Sequence, residues 1–327
     1  MQAYLALVNQ ILTENRNPNN LDEYYYKPNR TGMPSIGCAC LNFEHNMADG
    51  FPLLTTKKMG MKSVATELEF FIKGLSSKKW LQDRNCHIWD PWANPEKVNA
   101  TLLEKIMNSP VEMEEAEIDA LRKETQLQED DLGSIYGVMW RDWKKYDVVG
   151  EFNVGLKTYK IVEESSIDQL ANAIYTLQNN PFDRRIIVSA WNPAMLDQMA
   201  LPPCHLEYQF VTTINSKEEL VLNLSWEQRS VDSMLGLPYN IASYGLLLEL
   251  VAKTVGMTPG KLSGRLVDCH IYKNHIETAK VQLTRTPYYP LPKLLLPEKV
   301  NVLTWKYDEF ELLGYKSHDK LTYEIAV

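Results

Sequence analysis

The chain has 327 residues, of which 45% are hydrophobic and 23% charged, with a formal net charge of −8. This is a globular balance; the acidic sign lacks the basic footprint of a general nucleic-acid binder, and five cysteines without regular spacing do not make the framework of a secreted disulfide scaffold. A single domain over 1–327 can bury a large core at this length, and a reducing cytoplasm suits the free thiols. At the N-terminus Tyr4, Leu7, Val8, Ile11 and Leu12 recur at helical spacing and predict an amphipathic helix. With no basic flank and no long apolar run there, neither a signal peptide nor a membrane span is expected.

Further along, Glu67 lies three residues after Val64 and four before Phe71, on the apolar stripe of a second helix. Burial there should raise its pKa and let it hold a proton. Glu69 reads as a partly exposed residue at the edge of that stripe. Pro95 to Asp130 carries ten acidic residues against four basic ones and is expected to be a mostly helical surface insert. Glu207 to Ile214 and Leu220 to Arg229 alternate as two strands around an Asn215-Ser216-Lys217-Glu218 turn. Helical spacing resumes after Pro238 and stops at Gly256, a strand follows over Arg265 to Tyr272, and a helix over Asn274 to Thr284. The expected architecture is α+β, an antiparallel or mixed sheet with helices on one side.

The chemistry begins at Leu201-Pro202-Pro203-Cys204-His205. A free cysteine is more often a buried structural group than a nucleophile. Arg184, Arg185 and Arg229 change that balance, because guanidinium groups stabilise a thiolate and grip phosphate in a bidentate way. These residues alone point to a cysteine nucleophile acting near an anionic substrate. A simple thiol hydrolase built on Cys204 and His205 is one such reading.

The blocks Pro203-Cys204-His205, Gln228-Arg229-Ser230-Val231-Asp232, Leu235-Gly236-Leu237-Pro238-Tyr239-Asn240 and His270-Ile271-Tyr272 resemble the signature of thymidylate synthases, in order and at family spacing. Asn29-Arg30-Thr31-Gly32, Ile88-Trp89-Asp90 and the terminal Ile325-Ala326-Val327 extend the resemblance over nearly the whole chain. Only the acidic insert and a stretch near Val148 to Glu164 stay outside it. The resemblance implies a thymidylate synthase-like fold, a two-layer α+β domain whose sheet face forms a homodimer interface. It implies dUMP and 5,10-methylenetetrahydrofolate as substrates, and neither a metal, a membrane nor a nucleic-acid partner.

By the same resemblance Cys204 is the nucleophile that adds to C6 of the pyrimidine, with Glu67, Arg229, Asp232, Asn240 and Tyr136 as further catalytic residues. Arg229 should lower the Cys204 pKa. Arg30, Arg184, Arg185, Arg229, Ser230, Asp232, Asn240, His270 and Tyr272 are implied at dUMP, with Arg184 and Arg185 crossing to the neighbouring subunit. Trp89, Trp92, Asp232, Leu235, Gly236, Tyr239 and Ala326 are implied at the folate. Asn240 matches the residue that selects uracil, because a neutral amide can accept from N3–H and donate to O4 while cytosine reverses both groups. Glu227, Met234 and Val267 depart from the family pattern and are expected close to the pocket. There they leave room for the alternative outcome, a hydroxymethylase in which water captures the methylene and tetrahydrofolate leaves unoxidised. A catalytically idle binding protein on the same fold is the other alternative, opposed by the complete set of site residues.

Overall fold

A computed structural model describes residues 1–92, 106–109, 113–115, 117–118, 120–121 and 130–325. Most of the acidic insert over 95–130 lies outside the described residues. In chain order the helices are α1 (Gln2–Glu14), α2 (Met61–Ile72), α3 (Lys78–Gln82), α4 (Tyr136–Arg141), α5 (Gln169–Asn179), α6 (Gly236–Val255) and α7 (Ile276–Leu283). The strands are β1 (Ser35–Asn46), β2 (Trp143–Val154), β3 (Lys157–Ile167), β4 (Ile187–Ser189), β5 (His205–Ile214), β6 (Leu220–Gln228), β7 (Val231–Asp232), β8 (Thr258–Tyr272), β9 (Lys293–Leu295) and β10 (Glu311–Leu313).

The main sheet runs β1-β8-β6-β5-β4, with β7 beside β8. Neighbours are antiparallel except β6–β8 and β7–β8, which are parallel. A parallel pair needs a crossover of a dozen or more residues, and α6 supplies it. Alternation along β6 buries Leu222, Leu224, Trp226 and Gln228 and leaves Val221, Asn223, Ser225 and Glu227 on the opposite, more open face. α6 packs on β6 and β8 and is itself buried along Leu237, Ile241, Tyr244, Leu248 and Val251. Gly256 ends it in the left-handed region (φ 73°), where glycine carries no Cβ penalty. β8 begins at Thr258, well before the expected Arg265, because its first half pairs with both β1 and β6.

The stretch near Val148 to Glu164 forms a separate β2–β3 hairpin, exposed along nearly all its length, with Phe152 stacked on Tyr159 at 5.4 Å. No helix among the described residues is long and apolar enough to cross a membrane. α2 and α4 meet where Gly137 lies flat on the backbone of Phe71. A Cβ added there would sit 2.3 Å from Phe71 O and 2.4 Å from its Cα. Gly137→Ala should therefore destabilise the protein by about 1–3 kcal/mol through overpacking, read as a lowered midpoint in thermal unfolding.

Candidate active site around Cys204

Cys204 stands at the entrance to β5, on a loop tied down from two sides. Its N–H donates to Tyr136 Oη at 2.8 Å, and its carbonyl accepts from Arg229 N–H at 2.8 Å. Arg229 Nε donates to Pro203 O at 2.8 Å and its terminal nitrogen to Pro202 O at 2.9 Å. The same guanidinium lies 5.3 Å from the Trp191 ring centroid. Burial raises the Cys204 pKa above its ordinary 9.0, while the charges of Arg229 and Arg30 and a hydrogen bond from Tyr136 pull it down. Burial wins. Arg229 lowers the Cys204 pKa as expected, but burial of the thiol in low-dielectric surroundings is the larger effect and leaves the net shift upward.

His205 is buried, stacked on Tyr136 at 4.1 Å, and its Nδ1 lies 2.8 Å from the Tyr244 hydroxyl. Desolvation pushes its pKa down to about 3, so the ring is neutral. A neutral imidazole engaged by Tyr244 does not form the ion pair that a thiol hydrolase would use.

Glu67 projects half-buried from α2, and its Oε1 accepts from Trp89 Nε1–H at 2.8 Å. Desolvation raises its pKa from 4.5 to about 7, with the tryptophan bond a smaller opposing effect. The stripe argument holds for Glu67 and fails for Glu69, which is 2% exposed, ion-paired to Lys73 and bonded through Oε2 to Tyr307 N–H at 2.9 Å. The C-terminal segment around Tyr307 covers the side of α2 that helical periodicity leaves open to solvent. Trp89 then joins Trp92 (5.7 Å) and Tyr136 (5.9 Å), so one aromatic cluster runs from Glu67 to the partner of Cys204.

The third wall is the turn into α6. Asp232 Oδ1 accepts from the N–H groups of Met234 and Leu235, both at 3.0 Å. Leu235, Gly236, Tyr239 and Asn240 in or beside the first turn are half-buried. Asn240 Oδ1 accepts from Gln228 Nε2 at 3.1 Å. Val231 and Asp232 pair with Cys269 and His270, which brings β7 against the end of β8 where His270 and Tyr272 stand in ring contact at 5.0 Å. The Arg30 charge acts on both Tyr272 and Cys204, and Ser230 lies half-buried between β6 and β7.

Arg184 and Arg185 do not join this group. Both are exposed beside β4, and Arg185, with its side chain 88% accessible, forks onto Asp183 at 3.0 and 2.8 Å. That pairing holds the Asp183 carboxyl down at about 2. Ala326 lies outside the described residues. A concavity of about 320 Å³ between α5 and Val300–Leu303 is remote from all of this and is lined by no carboxylate, histidine or cysteine.

The thymidylate synthase family model matches residues 2–327. The thymidylate synthase of Mycoplasma pneumoniae is 36% identical over 332 aligned positions, which cover all of both chains. The chain belongs to the thymidylate synthase family. It is thereby an enzyme of the methyltransferase type, on the fold that family shares.

Within this family member the departures sit elsewhere than expected. Glu227 Oε1 is 2.5 Å from Arg265 on the sheet face away from α6. Val267 is half-buried and in register with Cys40 on β1. Met234 is fully buried, its sulfur 4.0 Å from Tyr4 Oη. None of the three supplies a polar group beside Cys204. Two residues were given no role from sequence. Lys57 is 3% exposed, donates to Met234 O at 2.5 Å, and has its pKa lowered to about 8 by burial. Gln228 is also 3% exposed; its place on the inward face of β6 was readable from strand alternation, its contact with Asn240 was not. Among the described residues no group of three or more His, Cys, Asp or Glu could hold a metal.

Glu67 generates a pH prediction. A raised carboxyl pKa means the folded state binds the proton more tightly, so stability falls as pH rises from about 4.5 toward about 7. Glu67→Gln keeps an acceptor for Trp89 but carries no charge. Its melting temperature should gain on wild type as pH is raised from about 5 to about 8, measured by parallel thermal scans; a constant difference would mean Glu67 is not buried as an acid.

Proposed function

We propose that this chain methylates C5 of dUMP to give dTMP and dihydrofolate through a covalent Cys204 adduct. The observation that carries the reading is a thiol, Cys204, under the charges of two guanidinium groups, Arg229 and Arg30, with the Asn240 amide oriented by Gln228 on the strand that Arg229 follows. Arg229 and Arg30 attract the nucleotide phosphate, Ser230 hydrogen-bonds it, and His270 and Tyr272 take the deoxyribose. Asn240 reads the uracil edge.

C5 of uracil is a poor nucleophile. Thiolate addition at C6 moves the C5–C6 π electrons toward C5 and O4, and the resulting enolate attacks through C5. Cys204 lies beside Tyr136, whose hydroxyl favours the thiolate. Glu67, with a pKa near neutrality, carries a proton toward the base and the folate. After C5 has bonded to the new carbon, its proton is lost to a base, and once that carbon is reduced Cys204 leaves C6 as the thiolate while the C5–C6 double bond returns. The co-substrate 5,10-methylenetetrahydrofolate supplies the carbon and then the hydride that reduces it. Trp89, Trp92, Leu235, Gly236 and Tyr239 offer the apolar wall that a pterin needs, with Asp232 as its polar partner and Ala326 in the closing tail. The carboxylate of Glu227 engaged by Arg265, and Met234 in the core, favour reductive methylation over capture by water.

The phosphate grip is completed in a homodimer, where Arg184 and Arg185 reach the partner's site across the open sheet face. Exposure of both arginines beside that face supports this arrangement. The cytoplasm, which keeps Cys204 reduced, is the compartment the chemistry suits.

Incubation with dUMP and methylenetetrahydrofolate should yield a nucleotide of dTMP mass with a matching rise in dihydrofolate absorbance. Cys204→Ala should abolish both while dUMP binding persists. A hydroxymethyl product with flat absorbance would replace this reading by the hydroxymethylase. A second outcome tests the shared site. Mixing inactive Cys204→Ala and inactive Arg185→Ala subunits should restore partial turnover, because one hybrid site has both groups intact; no recovery after demonstrated subunit exchange excludes the crossing arginines.

A further inference from the structure

Trp226 is not used by the mechanism, yet it is connected to it. Its indole is buried between Tyr244, stacked at 5.1 Å and 16°, and Phe43 at 5.9 Å. In the register of β6 on β8 it stands opposite Gly264, where an added Cβ would come within 2.5 Å of the ring. No side chain larger than glycine's hydrogen fits there with this indole in place. The ring packs against the Gly264 backbone with Nε1 directed at Gln228 Oε1 at 3.3 Å.

An indole N–H can only donate, and a backbone carbonyl can only accept. Gln228 meets one of each: its oxygen faces Trp226, and its nitrogen faces Ser230 O at 3.1 Å. Its polarity is fixed at both ends. The same nitrogen donates to Asn240 Oδ1 at 3.1 Å, so Asn240 must keep its oxygen on the Gln228 side. Uracil needs an amide oxygen at N3–H and an amide nitrogen at O4. Cytosine needs the reverse. A reversed Asn240 would set two amide nitrogens against each other beside Gln228. We propose that Trp226 and Gln228 are positioning residues that lock the Asn240 amide in the uracil-reading polarity, so that pyrimidine choice is set from the core beneath the site. The inference rests on the assignment of Asn240 to the base.

The test compares binding constants for dUMP and dCMP by calorimetry, with melting temperature measured in parallel. Gln228→Glu keeps an acceptor for the indole but offers Asn240 an oxygen in place of a donor, which favours the reversed amide. Its preference for dUMP over dCMP should narrow by about tenfold or more. Trp226→Phe keeps an aromatic ring beside Tyr244 and Phe43 but removes the anchoring N–H together with part of the indole; its preference should narrow by about threefold. A purely structural role would weaken both nucleotides in parallel and leave their ratio unchanged. An unchanged ratio in folded Gln228→Glu overturns the proposal, and if that variant does not fold, an unchanged ratio in Trp226→Phe does so. Wild-type protein that does not prefer dUMP would instead remove the assignment of Asn240 itself.

Discussion

The hydrogen bonds between Arg229 and the Pro202-Pro203-Cys204 backbone are the constraint on which the site depends. A proline has no N–H, but its carbonyl accepts as well as any other. Two consecutive prolines hold the loop in an extended path and offer two carbonyls to one guanidinium. Arg229 follows directly after β6, so Cys204 is indexed to the end of a central strand. The same guanidinium delivers positive charge to the thiol. One side chain thus sets both where Cys204 is and how its charge is balanced.

Burial governs the electrostatics around that pin. It raises the thiol of Cys204 and the carboxyl of Glu67 and depresses the imidazole of His205, each toward its neutral form. The three groups stand within one aromatic network of Phe71, Trp89, Tyr136 and Tyr244. The charges of Arg229 and Arg30 act on Cys204 in one direction and that of Asp232 in the other. The Glu227 carboxylate, by contrast, is engaged by Arg265 on the sheet face away from α6.

Much of the fold was legible because its periodicities are strong. β5, β6, α6 and α7 lie where alternation and helical spacing place them, and Gly256 ends α6 through its left-handed backbone. Periodicity failed where a distant segment supplied the partner. Glu69 looked like a surface residue of α2 until Tyr307, more than two hundred positions away, covered it. β8 was seen only in its second half, since Gly260 and Gly264 break the alternating pattern that side chains would carry. Met234 was placed on the pocket wall by its neighbours in sequence, but the turn stabilised by Asp232 sends it into the core beside Tyr4.

The sequence by itself determined the family, because chemically demanding residues stand in ordered blocks along nearly the whole chain. It also determined the direction of the Glu67 pKa shift, upward, since a carboxyl on an apolar stripe is desolvated when that stripe packs. Only the tertiary structure decided which way competing effects resolve. At Cys204 burial outweighs the arginines, a comparison that needs distances and not residue types. At Asn240 the polarity of the amide follows from Trp226 and Gln228, whose hydrogen bonds exist only when β6, β8 and α6 are packed together.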